Sequence, residues 1–314
     1  MPKGGAGMTK LFIDCDPGLD DAIAILLAGK AENLQLCGVS TVAGNQTVAK
    51  TTENARRIVG LGNLQCPVVQ GAARPLLREP IIADDVHGES GLGGAELPPV
   101  DAPLAAENAI LWLAQQLLNE EEPVTLVSIG PMTNTALLLS TFPDVKKKIQ
   151  RIVMMGGSVG QGNVTPSAEF NVLADPEAAK IVFQSGVPVN MVGLDVTYQV
   201  LATPSIVEKI RKLNNSVSEY VSTWLTDYIN AYYKTHGIEG GALHDPLAVA
   251  VLMDSDVVQF EEMYVDVETR GDLTYGRTVC ARKGQTGKAP NAQVAVGVKP
   301  DLFWDMLFAV LMRY

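Results

Sequence analysis

No two cysteines in this chain are spaced for a metal or a redox pair. Cys15, Cys37, Cys66 and Cys280 are scattered, with no C-x-x-C among them, and read as small buried hydrophobes of a reducing compartment. Aromatics are scarce, 6% of the chain, so aliphatic side chains must fill the core. No apolar run is long and unbroken enough to span a bilayer, and no signal peptide is visible, so a cytoplasmic protein without a membrane partner is expected. Basic side chains are outnumbered, 24 against 35 acidic ones, for a net charge of −11. Such a surface repels phosphate backbones, and nucleic acid is not an expected partner.

What is present points to a layered α/β protein. Hydrophobic residues make up 47% and charged ones 19% of 314 residues, a balance that suits helices packed on a sheet. Residues 1–8, opening MPKGGAG, read as a flexible terminus and 9–314 as one domain. Apolar runs at Leu11–Ile13, Leu36–Ser40, Pro67–Val69, Val124–Ile129, Ile152–Met155 and Val187–Val192 predict strands. Helical patterns alternate with them at Asp20–Ala28, Val48–Val59, Leu104–Leu118, Met132–Leu139 and Pro176–Phe183. This alternation predicts an open, mainly parallel sheet flanked by helices, a Rossmann-like core. Later come two consecutive helices (Thr203–Leu213, Val217–Tyr233), three short β-like runs (Met263–Val267, Thr278–Ala281, Gln293–Val298) and a closing helix, Leu302–Met312. In such sheets ligands bind beyond the carboxyl ends of the strands, and that is where the unusual residues fall.

Asp14-Cys15-Asp16-Pro17-Gly18-Leu19-Asp20-Asp21 places four carboxylates where an apolar strand ends. Ionised together in a partly buried turn they repel, so they must take up protons or hold a cation. Carboxylate oxygens suit a hard cation such as calcium or magnesium; otherwise Asp20 and Asp21 simply stabilise a helix N-terminus. An EF-hand is excluded, because the twelfth position from Asp14 is Ile25 rather than Glu. His244-Asp245-Pro246, before the apolar stretch Leu247–Leu252, offers a further ligand and a proton donor, or a plain helix cap. His87-Gly88-Glu89-Ser90-Gly91 reads as a mobile surface loop, in functional terms a lid. Asn163, Glu169 and Asn171 can hold sugar hydroxyls or satisfy their own turns.

Together these segments resemble the inosine-uridine nucleoside hydrolase family, from about Leu11 to the C-terminus. The carriers are DCDPGLDD (14–21), TVAGN (41–45), HGESG (87–91), GPMTN (130–134), EFN (169–171) and HDP (244–246). The resemblance implies a Ca2+ ion held by Asp16, Asp21, Asp245 and the Ile129 carbonyl, with Asp16 also the base that activates water. It implies ribose contacts from Asp20, Asn45, Asn163, Glu169 and Asn171, His87 near the base, and His244 assisting base departure. Phe170, Tyr232 and His236 are candidates for the base pocket. The implied partner is a ribonucleoside with broad or pyrimidine/inosine preference, and the implied assembly a homodimer or homotetramer. Two alternatives stand beside it. One is a nucleoside-binding or sensing protein without turnover. The other is a dehalogenase-type phosphatase, which would want Thr or Val where Gly18 stands and a later acidic motif with a separate Lys.

Overall fold

The computed structural model describes residues 8–314, so all but Met8 of the expected flexible terminus lies outside the described residues. The chain runs β1 (Thr9–Cys15), α1 (Leu19–Lys30), β2 (Leu34–Thr41), α2 (Val48–Leu61), β3 (Val68–Gln70), α3 (Asp84–His87), α4 (Ala109–Asn119), β4 (Val124–Ser128), α5 (Thr133–Thr141) and β5 (Ile149–Met155). It continues α6 (Phe170–Ala174), α7 (Pro176–Phe183), β6 (Val189–Val192), α8 (Leu194–Thr197), β7 (Leu201–Ala202), α9 (Pro204–Arg211), α10 (Ser216–His236), β8 (Gly241–Ala242) and α11 (His244–Met253). The last elements are β9 (Val258–Val267), β10 (Thr278–Ala281), β11 (Ala292–Val298) and α12 (Pro300–Leu311).

Nine strands form one sheet in the order β10-β9-β11-β6-β5-β4-β1-β2-β3. Every pair from β11 to β3 is parallel, and β9 joins β11 and β10 antiparallel. The chain winds outward from β1 to β2 and β3, then returns to place β4 on the other side of β1. That reversal opens a crevice above the carboxyl ends of β1 and β4, and the acidic motif follows β1.

Side-chain alternation along β1 explains the two cores. Leu11, Ile13 and Cys15 face α1, α10, α11 and α12, whereas Phe12 faces α4, α5 and α7. A sheet covered on both faces tolerates continuous apolar strands. Helix α1 is buried from Leu19 to Ala28, because it lies under α11, which is buried from His244 to Leu252. Burial of each such Leu or Ile contributes about 1.5–3 kcal/mol. The packing of α1 on α11 sets the starts of the two helices side by side, although 223 residues separate Asp21 from His244 in numbering order. No helix among the described residues is long and apolar enough to cross a membrane.

Two local expectations need correction. The helix predicted over Leu104–Leu118 begins only at Ala109, since Asn108 caps it by accepting the Leu111 N–H at 3.0 Å. His244 and Asp245 lie inside the first turn of α11 rather than before it; Pro246 is tolerated there because first-turn N–H groups have no helical acceptor.

Candidate active site

Strand β1 delivers Asp16 to a slot cut by two glycines. A Cβ on Gly44 would lie 2.0 Å from Asp16 Oδ2, and one on Gly130 2.5 Å from Oδ1. The Asn45 N–H donates to Asp16 Oδ2 at 2.6 Å, and the Asn45 amide donates to Asp21 Oδ2 at 3.0 Å. Asp21 also accepts the Asp16 N–H (3.2 Å) and the Gly18 N–H (2.9 Å). The turn Asp16–Asp21 is thereby folded back on itself, as Pro17 and Gly18 suggest.

Asp20, Asp21 and Asp245 each offer a carboxylate oxygen within 4.8 Å of the others, all three buried. Asp16 stands outside that trio but touches it through Asp21 and Asn45. The Asp245 N–H reaches Asp20 Oδ2 at 3.5 Å. Burial, and then the charge of Asp21, pushes Asp20 up to about 7. Asp16 is raised well above the carboxylate range by burial and then Asp21, Asp245 by burial and then Asp20 and Asp21. Burial also raises Asp21. Four buried acids that resist ionisation together, presenting only oxygen donors, fit a hard divalent cation.

Asp20 and Asp245 line a cavity of about 620 Å³, whereas Asp16 and Asp21 are not among its lining residues. Of the residues singled out in the sequence, Asp20, Asn45, His87, Ile129, Asn163, Glu169, Phe170, Asn171, Tyr232, His244 and Asp245 line it. Glu169 caps α6 and accepts the N–H groups of Gly157 (2.8 Å), Asn171 (2.9 Å) and Val172 (3.2 Å), yet burial holds it at about 7. The Asn171 amide donates to the carbonyls of Ile129 (2.8 Å) and Met155 (3.2 Å), tying the ends of β4 and β5. Asn163 Oδ1 accepts the Phe170 N–H at 3.0 Å. All three line the cavity; Asn163 and Glu169 also satisfy the backbone of their own turn, whereas Asn171 ties two strand ends. No Lys or Arg lines the cavity among the described residues.

His87 departs from the mobile surface loop expected of it. It is 6% exposed, and its Nδ1 accepts the Leu19 N–H at 3.1 Å. Burial lowers its pKa to about 4. Glycine at 18 makes the room, since a Cβ there would lie 2.3 Å from Nδ1. Gly88 (φ 77°) and Gly91 (φ 86°) turn the following chain back, so that Leu92 and Leu97 enter the core.

His244 Nδ1 and the Thr197 hydroxyl are 2.7 Å apart, and His244 Nε2 shares a short hydrogen bond with the Tyr232 hydroxyl. Tyr228 donates to Tyr232 at 3.4 Å and lines the cavity together with Asp20. The sequence reading did not single out Tyr228, although its spacing of four from Tyr232 puts both on one helix face. Thr197, Ile81 and Ile82 were missed as well and carry no local pattern that marks them. His236 ends α10; its side chain lies outside what is described.

A family model described as inosine-uridine preferring nucleoside hydrolase matches residues 11–305. The chain is 39% identical over 305 residues, 97% of each protein, to the pyrimidine-specific ribonucleoside hydrolase RihB of Escherichia coli strain K12. Among solved structures, a purine-preferring ribonucleoside hydrolase from Gardnerella vaginalis superposes with a TM-score of 0.91 at 32% identity, covering 98% of this chain and 100% of that one. The plant nucleoside hydrolase PpNRh1 does so with a TM-score of 0.91 at 30% identity, covering 98% and 99%.

Proposed function

The chain belongs to the inosine-uridine preferring nucleoside hydrolase family, and from that premise we propose that it cleaves ribonucleosides to ribose and free base at a calcium site. The observation that carries the reading is the convergence of Asp20, Asp21 and Asp245, from two distant helix starts, on one buried point.

Asp16, Asp21, Asp245 and the Ile129 carbonyl would hold the ion. That carbonyl has a second lone pair beside the one Asn171 uses. A calcium ion held there would lower the pKa of a water molecule and offer positive charge to the sugar hydroxyls. Asp16 takes the proton of the attacking water, its carboxylate aimed by the Asn45 N–H and confined by Gly44 and Gly130. Asp20 accepts hydrogen bonds from the ribose hydroxyls; Asn163, Glu169 and Asn171 hold the rest of the sugar. As the C1′–N bond breaks, positive charge grows on the ribose ring, and the surrounding carboxylates stabilise it. His244, in line with Tyr232 and Tyr228, delivers a proton to the departing base. His87 and Phe170 border the base, with Tyr232 and His236 as further candidates. No Lys or Arg lines the cavity among the described residues to offset the charge of a phosphate ester, which disfavours phosphoryl transfer.

Base preference differs among the relatives, pyrimidine-specific in one and purine-preferring in another. The Tyr228–Tyr232–His244 chain suits bases that need a proton to leave, so we infer use of inosine as well as uridine. A cytoplasmic homodimer or homotetramer in nucleoside salvage completes the proposal, with light scattering as the check on assembly. The test is release of free base from uridine, cytidine, inosine and adenosine, with calcium and with a chelator. Binding without turnover in any metal would make the protein a nucleoside sensor instead.

A further inference from the structure

The irregular segment from Gly71 to Ala83 forms the outer wall of the cavity through Ile81 and Ile82, which are 39% and 44% exposed. Its first half is well tied down. The Ala72 N–H donates to Asn134 Oδ1 at 2.8 Å, and the Leu76 N–H donates to Asp175 Oδ2 at 2.9 Å. Its far end is held where the Ala83 N–H meets the Asn45 carbonyl at 3.2 Å. Between these anchors, no backbone N–H of residues 77–82 bonds to another part of the protein among the described residues. Two exposed apolar side chains over a cavity, on backbone without a ladder, need some other restraint to stay in place.

Side chains supply it from outside the wall. The Arg78 guanidinium lies 3.7 Å from the centre of the Tyr275 ring, a stacking contact between a planar cation and an aromatic face. The Tyr275 hydroxyl donates to Glu177, 2.9 and 3.1 Å from its two carboxylate oxygens, in the first turn of α7. The turn that carries Tyr275 is seated closely: Gly276 has φ 80°, and a Cβ there would lie 2.9 Å from Leu173 Cα. Leu173 itself lines the cavity. Arg78 is thus the bolt, Tyr275 the plate and Glu177 the fixing of that plate to the sheet layer.

We propose that Arg78, Tyr275 and Glu177 form a latch that positions Ile81 and Ile82 against the nucleobase and so sets how tightly the base is held. They are positioning residues, since none touches the reacting atoms. The proposal rests on the nucleoside reading of the cavity, in which the base faces this wall and the ribose sits at the carboxylates.

The experiment compares wild type with Arg78→Ala, Tyr275→Ala and Tyr275→Phe. Hydrogen exchange reads the latch without reference to activity: the Ala83 amide, held by the Asn45 carbonyl, should exchange faster in both alanine variants, with the Ala72 and Leu76 amides unchanged. In steady-state assays on uridine and inosine, the alanine variants should raise KM about three- to tenfold, with kcat changed less than twofold. Tyr275→Phe, which keeps the ring for Arg78 but loses the bond to Glu177, should fall between wild type and Tyr275→Ala on both counts. The inhibition constant of free ribose, which has no base to meet the wall, should not move. Unchanged exchange at Ala83 overturns the latch. So does unchanged nucleoside KM, or a ribose constant that rises in parallel with KM. If wild type cleaves no nucleoside, the nucleoside reading fails, while the exchange data still decide whether the latch exists.

Discussion

Stripping divalent cations should destabilise this protein more as pH rises. Asp20 titrates near 7 in the fold against an ordinary value of 3.8. Because the folded value is the higher one, its protonated form stabilises the fold fully below about pH 4, and that contribution is lost as pH rises through 7. At ~1.4 kcal/mol per pH unit, the loss reaches about 4 kcal/mol at pH 8 and about 1.5 kcal/mol at pH 5. Typical unfolding entropies scaled to 314 residues convert about 4 kcal/mol into a Tm change of about 6 °C. Asp16, Asp21 and Asp245 are raised in the same sense and add to it. A divalent cation held between the carboxylates would remove this repulsion. Scanning calorimetry with chelator or with calcium, at pH 5 and pH 8, is the assay. The Tm gap should exceed about 6 °C at pH 8 and shrink to a few degrees at pH 5, and Asp20→Asn should flatten the pH dependence of the chelated protein. A gap of equal size at both pH values would refute the argument that these acids are held apart from ionisation by one another and by burial.

Asp16→Asn should lower kcat by about 10³-fold with an unchanged far-ultraviolet spectrum; a rate near wild type would remove its role as base. Gly44→Ala should cost about 10²-fold in kcat while Tm changes little, since its methyl displaces the Asp16 carboxylate; full activity would show that the slot does not aim this group. His244→Ala should slow inosine at least about 10²-fold and spare 4-nitrophenyl riboside, whose leaving group needs no proton, and equal losses would exclude the acid role. His87, depressed to about 4, favours the fold while neutral, so its contribution of about 3 kcal/mol is lost as pH falls from 6.5 through 4. His87→Gln should remove that acid-limb slope in denaturant titrations, and an unchanged slope would assign it elsewhere.

Much of the architecture was legible because it depends on period and punctuation. Strand–helix alternation announced the parallel sheet, and Pro176–Phe183 and Thr278–Ala281 carried bounds that the structure reproduces. The acidic turn was legible as chemistry, since four carboxylates after a buried strand demand a partner. What joins it to Asp245 was not, because the packing of α1 on α11 depends on two faces whose small residues carry no address. His87 misled for a physical reason. Glycines around a histidine suggest a loose loop, and only the empty position at Gly18 reveals that the ring is swallowed. Glu268–Arg277, which brings Tyr275 to the cavity wall, has loop composition and no motif.

The strand order has one more consequence, for solubility. Both outermost strands are short: β3 has three residues and β10 four. The β3 border is further covered where the Ala105 N–H donates to the Val68 carbonyl at 3.0 Å and Ala106 bridges Val69. Arg277, Arg282 and Lys283 flank the β10 border with positive charge. At the β3 margin a foreign strand finds little exposed backbone to copy, whereas at the other margin β10 covers only Tyr264–Val267 of the ten-residue β9.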